Sequence, residues 1–296
     1  LVPCLGSVGD AGLVSRLLVR HRIATIYHAA AHKHVPMVEA NVLAGACNNV
    51  LGTLTLASAA FDAGVETFVL ISTDKAVRPT NIMGASKRWA ELVVQGFARQ
   101  AAARGTGQRF CAVRFGNVLG SSGSVIPLFK EQIAQSGPVT VTHADVTRYF
   151  MSIHEAVQLV IQTGSLASGG EIFLLDMGDP VRIVDLARNM IRLAGYTVRD
   201  DDNPEGDIEI IITGLRPGEK LYEELLIASS NAVATSHPKI MKADEPSLDP
   251  EPLAALVEQL RAALRDRDEE AVRAMLMRVA GDPDCSPQTA AGAMQT

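Results

Sequence analysis

FVLISTDK, which runs from Phe68 to Lys75, has the pattern of a buried β-strand that ends abruptly in four polar residues. In an open parallel sheet, ligands bind at the carboxyl ends of the strands, so Ser72, Thr73, Asp74 and Lys75 are expected to face a crevice. Taken alone, the adjacent charges of Asp74 and Lys75 favour a plain solvated turn with a salt bridge. The residues that follow Lys75 change that interpretation.

Short apolar runs alternate with amphipathic helical patterns on both sides of this strand. We predict strands at Leu1–Leu5, Thr25–His28, Thr67–Ser72 and Arg109–Phe115, and helices at Val50–Ala63 and Ser86–Ala103. Strands that alternate with helices are typical of βαβ units and a parallel sheet. Continuous apolar content indicates that these strands are buried on both faces. The predicted fold class is therefore α/β, with a Rossmann-type doubly wound parallel sheet.

The bulk composition excludes several classes of protein. The chain has 296 residues, 47% of them hydrophobic, and a formal net charge of −6, so it can bury a large core but has no general attraction for nucleic acid. Its four cysteines, Cys4, Cys47, Cys111 and Cys285, are far apart, which favours free thiols in a reducing compartment. No apolar run reaches about 18 residues and no signal peptide opens the chain, so we expect a cytoplasmic protein.

A helix begins soon after the polar turn. Pro79 breaks the chain, and MGASKR, from Met83 to Arg88, then opens a helix on which Met83 and Lys87 lie one turn apart on the same face. Together, STDK and MGASKR resemble the extended short-chain dehydrogenase/reductase superfamily, in which a strand-end Ser or Thr precedes a helix that carries Tyr-x-x-x-Lys. More narrowly, they resemble the UDP-N-acetylglucosamine 4,6-dehydratases of the polysaccharide-biosynthesis branch, which include members with methionine in place of the tyrosine.

Four further segments match the same family in the same order. They are YHAAAHKHVP at 27–36, VRFGNVLG at 113–120, VTRYFM at 146–151 and LRPGEKL at 215–221. Each match is weak by itself, but the ordered set covers most of the chain. The resemblance implies an NAD-dependent enzyme of surface polysaccharide or glycan biosynthesis, which converts UDP-N-acetylglucosamine into a 4-keto-6-deoxy sugar nucleotide.

The resemblance also implies roles for the central residues. In the family reaction, hydride leaves sugar C4, water is eliminated across C5 and C6, and hydride returns to C6. Asp74 matches the acid that protonates the leaving hydroxyl, and Lys75 replaces the glutamate that takes the C5 proton, either as a base or as a cation that stabilises the enolate. Lys87 matches the lysine that binds the nicotinamide ribose. Because the thioether of Met83 is no useful proton acceptor, the C4 hydroxyl needs another route, such as a relay through Thr73 to a lysine or water.

Residues at the strand ends are expected to bind NAD by the same resemblance. The expected contacts are His28, Ala29, Ala30, Ala31, Asn49, Ser72, Lys87 and Phe115. Small alanines after a strand permit the close approach of a cofactor. His28, His32 and His34 also suggest a metal site, but a strand-to-loop segment lacks the helical i, i+4 face that aims two ligands at one ion, and we predict no metal.

Cations and polar turns in the second half are expected to bind the UDP-sugar. A diphosphate in an acidic protein needs placed guanidinium groups, and Arg148 and Arg216 both fall in the family motifs. Asn117 matches an asparagine that reaches the diphosphate in the family, although it also suits a turn. The remaining expected contacts are Ser124, Glu219 and Lys33, for which a surface salt bridge is the alternative.

A change of pattern after Gly120 divides the chain into three predicted parts. Residues 1–120 are predicted to form a partial NAD-binding Rossmann domain. Residues 121–248 are predicted to form mostly a smaller substrate-binding lobe, with returning Rossmann elements. Residues 249–296 are predicted to form a C-terminal helical extension, from Glu251 to Val279, followed by a disordered tail.

The sequence contains no glycine-rich turn of the kind that holds a cofactor pyrophosphate. LGSVGD, from Leu5 to Asp10, instead resembles a later family element, G-D-V-R-D, with Ser7 and Gly9 in place of an aspartate and the arginine. We therefore expect an N-terminally truncated Rossmann domain. In many relatives the catalytic part follows membrane helices and a further nucleotide-binding-like domain. We expect a homo-oligomer in the cytoplasm, or at the cytoplasmic face of the inner membrane through such a region.

Two other functions stay open. A nucleotide-sugar epimerase on the same scaffold would oxidise the sugar transiently without eliminating water, although epimerases generally lack the pair of Asp74 and Lys75. A non-catalytic sensor of dinucleotides or sugar nucleotides is suggested by Met83 and by the missing glycine-rich turn. The joint presence of Asp74, Lys75 and Lys87 favours an enzyme over such a sensor.

Overall fold

The computed structural model describes residues 1–225, 232–245 and 248–281, which divide into two compact units. Unit 1 comprises Leu1–Phe115, Leu159–Leu175 and the described residues from Leu225 onward, and unit 2 comprises Gly116–Gln158 and Asp176–Glu224. Both units are discontinuous in sequence. The division into three consecutive parts at residues 120 and 248 remains a prediction, and the predicted disordered tail lies outside the described residues after position 281.

Strands and helices alternate along the first half of the chain, as the sequence predicts. The strands are β1 (Thr25–His28), β2 (Thr67–Ile71), β3 (Arg109–Arg114), β4 (Asn117–Val118), β5 (Val139–Val141), β6 (Thr147–Arg148), β7 (Phe150–Met151), β8 (Ile172–Leu175), β9 (Val181–Arg182), β10 (Val198–Arg199), β11 (Ile208–Ile212), β12 (Ala232–Ala234) and β13 (Ile240–Ala243). The helices are α1 (Ala11–His21), α2 (Val35–Glu39), α3 (Val42–Ala46), α4 (Gly52–Asp62), α5 (Ile82–Arg104), α6 (Val125–Ala134), α7 (Ile153–Leu166), α8 (Ile183–Leu193), α9 (Pro250–Arg265) and α10 (Glu269–Gly281).

The main sheet of unit 1 has the strand order β1-β2-β3-β8-β13-β12. The first four strands are parallel, and β13 and β12 continue the sheet in antiparallel pairings. The predicted strand at Leu1–Leu5 is wrong: these residues form no strand and are exposed. A parallel strand needs a neighbour for its backbone hydrogen bonds, and this segment pairs with no described strand.

Helices cover both faces of this sheet, which makes it doubly wound. On one face, Phe68 and Leu70 of β2 belong to an apolar cluster with residues of α4 and α5. On the other face, α7 approaches β2 closely, because a Cβ placed on Gly164 would lie 3.3 Å from Val69 Cγ2. The alternation of side chains along β2 separates these two sets of contacts. The α/β Rossmann-type fold predicted from the sequence is confirmed.

The helix after the polar turn is longer than predicted. It was expected at Ser86–Ala103 and is observed at Ile82–Arg104. Asn81 caps its start by accepting a hydrogen bond from the Gly84 amide at 2.8 Å, and Gly105 ends it in the left-handed conformation with φ 63°. The asparagine cap explains the earlier start.

The charged C-terminal pattern forms two helices instead of one. α9 and α10 are separated by a turn in which Arg267 has φ 56°. We call this pair the C-terminal hairpin. Its apolar face joins a cluster with α5 that contains Leu253, Leu256, Leu260, Val272, Leu276 and Val279.

One helical stretch among the described residues, Val42–Asp62, is long and apolar enough to cross a membrane by length and composition. It passes through α3, a π-helical turn at Cys47–Leu51 and α4. More than half of its most apolar window, 56%, is buried against the rest of the chain. Core helices commonly show this composition, so the stretch is weak support for a membrane span.

Unit 2 is built on a small parallel sheet with the order β10-β11-β5. The helices α6 and α8 pack on it through a cluster that includes Phe129, Ile183 and Ile191. Two further strand pairs, β4 with β7 and β6 with β9, carry family motifs. Unit 2 therefore has its own apolar core.

Candidate active site

The polar residues after β2 lie in a turn that is fixed to the neighbouring strand. The Ser72 amide donates to the Val113 carbonyl at 2.7 Å, and the Asp74 amide donates to the Phe115 carbonyl at 3.2 Å. A short 3-10 turn at Asp74–Ala76 follows. We call residues 72–75 the catalytic turn. It lies at the carboxyl ends of parallel strands, where ligands bind in sheets of this type.

Asp74 is fully buried, and its two carboxylate oxygens have different surroundings. Oδ1 accepts a hydrogen bond from Thr73 Oγ1 at 2.8 Å and lies 3.0 Å from Lys75 Nζ. Oδ2 is buried and has no hydrogen-bond partner in the described part of the chain. An unpaired buried acceptor costs roughly 1–3 kcal/mol. A ligand hydroxyl that donates a hydrogen bond to Oδ2 would remove that cost.

Lys75 is held next to Asp74 as an ion pair, with its side chain 20% exposed. A carboxylate at 3.0 Å stabilises the ammonium form of the lysine. Of the two roles left open for Lys75, this geometry favours the cation that stabilises an enolate over the neutral base.

Lys87 is buried on α5 and reaches the end of β2. Its Nζ donates to the Ile71 carbonyl at 2.5 Å. Burial lowers the pKa of Lys87 to about 8, although the carboxylate of Glu91 opposes the shift. A lysine with this pKa can exchange a proton near neutral pH.

Met83 lies one helical turn before Lys87 but is surrounded by apolar groups. It is only 3% exposed and belongs to the cluster formed by α5 and the C-terminal hairpin, together with Trp89 and Leu276. Apolar packing alone therefore explains why a methionine occupies this position, and no chemical role is needed to explain it. Its predicted place in the catalytic set stays a prediction.

A group of buried charges behind the catalytic turn was missed by the sequence analysis. We call it the buried ion network, and it consists of Arg88, Glu91, Arg114 and Glu245. Arg114 binds Glu91 through Nε and Nη2 at 2.8 and 2.7 Å, and Glu245 through Nη1 and Nη2 at 2.7 and 2.8 Å. Arg88 Nη1 lies 3.0 Å from Glu91. Ser72 Oγ joins the network by donating to Glu91 Oε1 at 2.6 Å.

The network keeps the Glu91 carboxylate charged although it is buried. Burial alone would raise the pKa of Glu91, but Arg114, Arg88 and the Ser72 hydroxyl outweigh it and lower the pKa to about 2. Burial likewise disfavours the charged form of Arg114, and the two glutamates reverse this and raise its pKa. The network thus places two guanidinium groups against two carboxyl groups.

Two members of the network carry a signal in the sequence. Arg114 follows the apolar run from Phe110 to Val113, and a charge at such a position requires a buried partner. Glu91 lies one helical turn after Lys87, so its direction on the helix was also predictable. Glu245 lies 131 residues from Arg114 and carries no local signal.

His28 ends β1 in a buried position. Its Nε2 lies 2.9 Å from Thr53 Oγ1, and the Thr53 hydroxyl donates to the Asn49 carbonyl at 2.7 Å, which assigns the donor role to the imidazole N–H. Burial, reinforced by the charge of Lys87, lowers the pKa of His28 to about 4. The ring is therefore neutral near pH 7 and supports the strand end.

Asn49 fixes the segment that follows β1. Its Oδ1 accepts from the His32 amide at 2.7 Å, and its Nδ2 donates to the His32 carbonyl at 3.0 Å and to Ser86 Oγ at 2.9 Å. Oδ1 also accepts from Asn48 at 3.0 Å. These bonds use the full capacity of the side-chain amide. They give Asn49 a positioning role, and its direct contact with a cofactor stays a prediction.

The strand end after His28 presents small side chains. Ala29 and Ala30 are exposed, Ala31 is half-buried, and Lys33 is exposed and forms no ion pair with another described residue. Because His28 is in register with Leu70, Ala29 follows at the level of Ile71, whose carbonyl binds Lys87. A small, open strand end beside a buried lysine fits the nicotinamide ribose of NAD. This fit applies only to the nicotinamide end of the cofactor, because the sequence has no glycine-rich turn for the pyrophosphate.

Asn117 and Ser124 lie in unit 2. The Asn117 amide donates to the Tyr149 carbonyl at 3.0 Å, and its side chain is half-buried. Ser124 is the N-cap residue of α6, and its buried hydroxyl has no partner among residues 1–225, 232–245 and 248–281. Their predicted contacts with a sugar nucleotide stay predictions.

Arg148 uses most of its donors inside unit 2. Its Nη1 donates to the carbonyls of Thr147 at 2.7 Å and Leu221 at 3.1 Å. Its Nη2 donates to the Lys220 carbonyl at 2.8 Å and to Glu219 Oε1 at 3.3 Å. The guanidinium is buried and holds the chain at 219–221, so its geometry is that of a positioning residue.

Arg216 is arranged differently from Arg148. It is exposed, and its guanidinium forms no ion pair with the other residues that the structure describes. Glu219 accepts a hydrogen bond from the Arg216 amide at 3.2 Å and from Thr142 Oγ1 at 3.0 Å. Of the two predicted arginines, Arg216 is the one whose charge is available to an anionic ligand.

The predicted residues thus form two groups. Unit 1 brings the catalytic turn together with Lys87, the end of β1 and the carbonyl of Phe115. Unit 2 brings Arg148 and Glu219 into direct contact and orders the chain next to Arg216.

Comparison with protein families gives a match over most of the chain. The family model described as "Polysaccharide biosynthesis protein" matches residues 1–245. The probable polysaccharide biosynthesis protein EpsC of Bacillus subtilis is 51% identical over 80% of this chain and 38% of its own length. The capsular polysaccharide biosynthesis protein CapD of Staphylococcus aureus is 54% identical over 76% of this chain and 36% of its own length. The chain therefore spans less than two-fifths of either relative.

Relatives with named reactions are more distant. A UDP-N-acetylglucosamine 4,6-dehydratase (inverting) of Campylobacter jejuni is 34% identical over 77% of this chain and 64% of its own length. A UDP-glucose 4-epimerase of Rickettsia rickettsii is 36% identical over 72% of this chain and 59% of its own length. Overall identity therefore does not distinguish dehydration from epimerisation.

Solved structures with a similar fold include two that share at least a quarter of their aligned residues with this chain. Pen from Bacillus thuringiensis superposes with a TM-score of 0.72 at 33% identity, over 82% of this chain and 71% of Pen. DesIV, the dTDP-glucose 4,6-dehydratase of Streptomyces venezuelae, superposes with a TM-score of 0.60 at 25% identity, over 74% of this chain and 69% of DesIV, and was solved with NAD bound. NAD, the predicted cofactor, is thus the cofactor found in a homologous structure.

The fold and the strand-end site define a homologue of the nucleotide-sugar dehydratases and epimerases of short-chain dehydrogenase/reductase type. Within that class, the match over residues 1–245 shows that the chain belongs to the polysaccharide biosynthesis protein family.

Proposed function

We propose that this chain carries the catalytic residues of an NAD-dependent nucleotide-sugar 4,6-dehydratase that acts on UDP-N-acetylglucosamine. The observation that supports this most is the buried Asp74 carboxylate, whose Oδ2 is unpaired among the described residues while Lys75 is paired to Oδ1. Elimination of water needs an acid that protonates the leaving C6 hydroxyl, whereas epimerisation expels no hydroxyl. The similarity to a named UDP-N-acetylglucosamine 4,6-dehydratase is in keeping with this choice.

NAD, when bound, accepts hydride from the sugar and later returns it. In our proposal Lys87 and the segment from His28 to Ala31 hold its nicotinamide ribose. Burial of Lys87 and the small side chains at the strand end support this assignment.

The hydrogen bond from Thr73 to Asp74 offers a route for the proton of the C4 hydroxyl. In this proposal the sugar hydroxyl gives its proton to Thr73 Oγ1 while Thr73 passes its own proton to Asp74 Oδ1, 2.8 Å away. Asp74 then holds the proton that the C6 hydroxyl needs to leave as water. The C4 hydroxyl therefore supplies that proton, and Met83 takes no part.

Lys75 supplies positive charge beside the reacting carbons. A water molecule takes the proton that leaves C5 next to the C4 ketone and returns it to C5 when the hydride adds to C6. The enolate formed in between is stabilised by a fixed ammonium group. The 3.0 Å ion pair with Asp74 holds the ammonium in place before the reaction.

The proposal also covers the cellular location of the reaction and the oligomeric state of the protein. We propose that the reaction occurs in the cytoplasm, or at the cytoplasmic face of a membrane, for the synthesis of a surface polysaccharide. The described cysteines Cys4, Cys47 and Cys111 are free thiols, which is compatible with a reducing compartment. A homo-oligomer is part of the same proposal.

The test is to incubate the full gene product with UDP-N-acetylglucosamine and NAD and to follow product mass. A product lighter by one water is expected, and Asp74→Asn should slow its formation by about 10²–10⁴-fold, the usual contribution of a general acid. A product of unchanged mass but altered C4 configuration would replace the proposal with epimerisation. Tight binding of both ligands with no conversion would instead support a sensor.

A further inference from the structure

The C-terminal hairpin lies beyond the family match but is packed against the helix of the candidate site. The family model ends at residue 245, whereas α9 and α10 span Pro250–Arg265 and Glu269–Gly281. The hairpin shares its apolar cluster with Met83, Trp89 and other buried residues of α5. Trp89 also donates from its indole nitrogen to the Leu276 carbonyl of α10 at 3.2 Å.

One polar contact connects the hairpin to the start of α5. Arg273 of α10 binds Glu39 at the end of α2, with Nη1 2.6 Å from Glu39 Oε2 and Nη2 2.9 Å from the Glu39 carbonyl. The other carboxylate oxygen of Glu39 accepts a hydrogen bond from the Ile82 amide. Ile82 is the first residue of α5, and its N–H has no partner within the helix. A single carboxylate therefore joins the hairpin to the N-terminus of α5.

The first turn of α5 in turn contacts the catalytic turn directly. A Cβ placed on Gly84 would lie 2.2 Å from the Lys75 carbonyl oxygen, so the two backbones touch and only glycine fits. Lys87, one turn further along α5, donates to the Ile71 carbonyl just before the catalytic turn. A shift of the start of α5 would therefore move Lys75 and Lys87 together.

We propose that the C-terminal hairpin is a positioning element for the catalytic turn, acting through Arg273 and Glu39 on the first turn of α5. Neither residue touches the reacting atoms in this proposal. Arg273 holds the Glu39 carboxylate, and Glu39 fixes Ile82 so that Gly84 can pack against Lys75. The inference rests on the proposed function for its effect on turnover, but the contact itself is independent of the reaction.

The experiment compares Arg273→Ala with a matched substitution on the same hairpin. Arg261→Ala removes an arginine whose ion pair, with Glu258 at 3.3 Å, stays within α9. Glu39→Gln, the double variant of Arg273 and Glu39, and Arg273→Lys complete the set. For each variant, kcat, KM for the sugar nucleotide and hydrogen exchange of residues 72–86 are measured. Emission of Trp89, the one tryptophan of the chain, reports whether the hairpin stays docked.

In Arg273→Ala we expect kcat to fall about tenfold with little change in KM, because small displacements of catalytic groups act on rate. Exchange in residues 72–86 should quicken while Trp89 emission stays unshifted. Arg273→Lys should recover part of the rate, Arg261→Ala should match the parent, and the double variant should be no slower than Glu39→Gln.

Three results would overturn the inference. The first is a loss of rate in Arg261→Ala equal to that in Arg273→Ala. The second is a loss of rate in the double variant that equals the product of the losses in the two single variants. The third is a red shift of Trp89 emission that accompanies every loss of rate. If the parent protein turns over no substrate, the proposed function has failed, and hydrogen exchange still decides the inference. Exchange that is quicker in Arg273→Ala and Glu39→Gln but not in Arg261→Ala supports the inference. Unchanged exchange in the first two variants refutes it.

Discussion

Ser72 Oγ donates a hydrogen bond of 2.6 Å to Glu91 Oε1, and this contact joins the catalytic turn to the buried ion network. Glu91 also lies one helical turn from Lys87, and its carboxylate raises the pKa of that lysine against the effect of burial. Glu91 therefore acts on the site in two ways, by holding a hydroxyl of the catalytic turn and by keeping Lys87 protonated.

Glu91→Gln should make the enzyme more sensitive to alkali. Loss of the carboxylate lowers the pKa of Lys87 below its present value of about 8. If turnover needs the ammonium form, the alkaline limb of kcat/KM should move to lower pH, by about one unit. Among the described residues, His28 is also coupled to Lys87, and it is neutral in this range because its pKa is about 4. The measurement is the pH profile of kcat/KM.

Glu245→Gln is the matched control for Glu91→Gln. Both substitutions remove a carboxylate from Arg114, and each should cost about 3–5 kcal/mol of unfolding free energy, as breaking a buried ion pair does. Of the two glutamates, Glu91 is the one that bonds to Ser72 and is electrostatically coupled to Lys87. Equal shifts of the alkaline limb in the two variants would show that the network acts through stability alone.

The two arginines of unit 2 should respond differently to alanine substitution. Arg216→Ala should raise KM for the sugar nucleotide by roughly 10–100-fold, as expected for a charge-assisted hydrogen bond, with little change in melting temperature. Arg148→Ala should lower the melting temperature, because buried carbonyls of Thr147, Lys220 and Leu221 lose their donor. The measurements are steady-state kinetics and thermal unfolding. The reverse pattern would make Arg148 the ligand contact.

The sequence predicted those parts of the fold and site that depend on local patterns. β1 was predicted at its observed bounds, and β2 and β3 to within one residue, because alternating strand and helix patterns need no distant information. The catalytic turn was predicted because polar residues directly follow a buried strand. For the paired Asp74 and Lys75, burial of Asp74 excludes the solvated turn, while the chemical role stays a prediction.

Features that depend on distant contacts escaped prediction. Leu1–Leu5 has strand composition but pairs with no described strand, so composition alone misled. Glu245 meets Arg114, and Arg273 meets Glu39, only after the chain has folded, and no periodicity indicates either partner. Arg148 and Arg216 look alike in sequence, and the hydrogen bonds of the folded chain separate a positioning residue from an available cation.

Met83→Leu should leave the enzyme close to the parent in rate and stability. Swaps that conserve volume in an apolar cluster usually cost less than about 1.5 kcal/mol, and the proposed proton route through Thr73 does not use the thioether. Leu92→Met, a buried substitution on the same helix, is the control for packing. A hundredfold or greater loss of kcat in Met83→Leu, without loss of stability, would show that the sulfur takes part in the chemistry.

The neutral, buried His28 should make the protein sensitive to mild acid. Its pKa is lowered from 6.5 to about 4 in the folded protein, so the unfolded chain binds a proton first as the pH falls. Stability attributable to this residue is complete above pH 6.5 and is lost progressively as the pH falls to about 4, up to about 3 kcal/mol. Glu91 contributes its own loss at lower pH, between 4.5 and about 2.

His28→Gln keeps a side-chain N–H for Thr53 but cannot titrate. Urea unfolding between pH 7.5 and 4.5 should therefore give a flatter dependence of unfolding free energy on pH in this variant than in the parent. Substitution of the exposed His21 by glutamine controls for the loss of a histidine as such. Parallel curves for the parent and His28→Gln would show that the imidazole becomes protonated without cost, which would contradict its burial against Thr53 and Phe68.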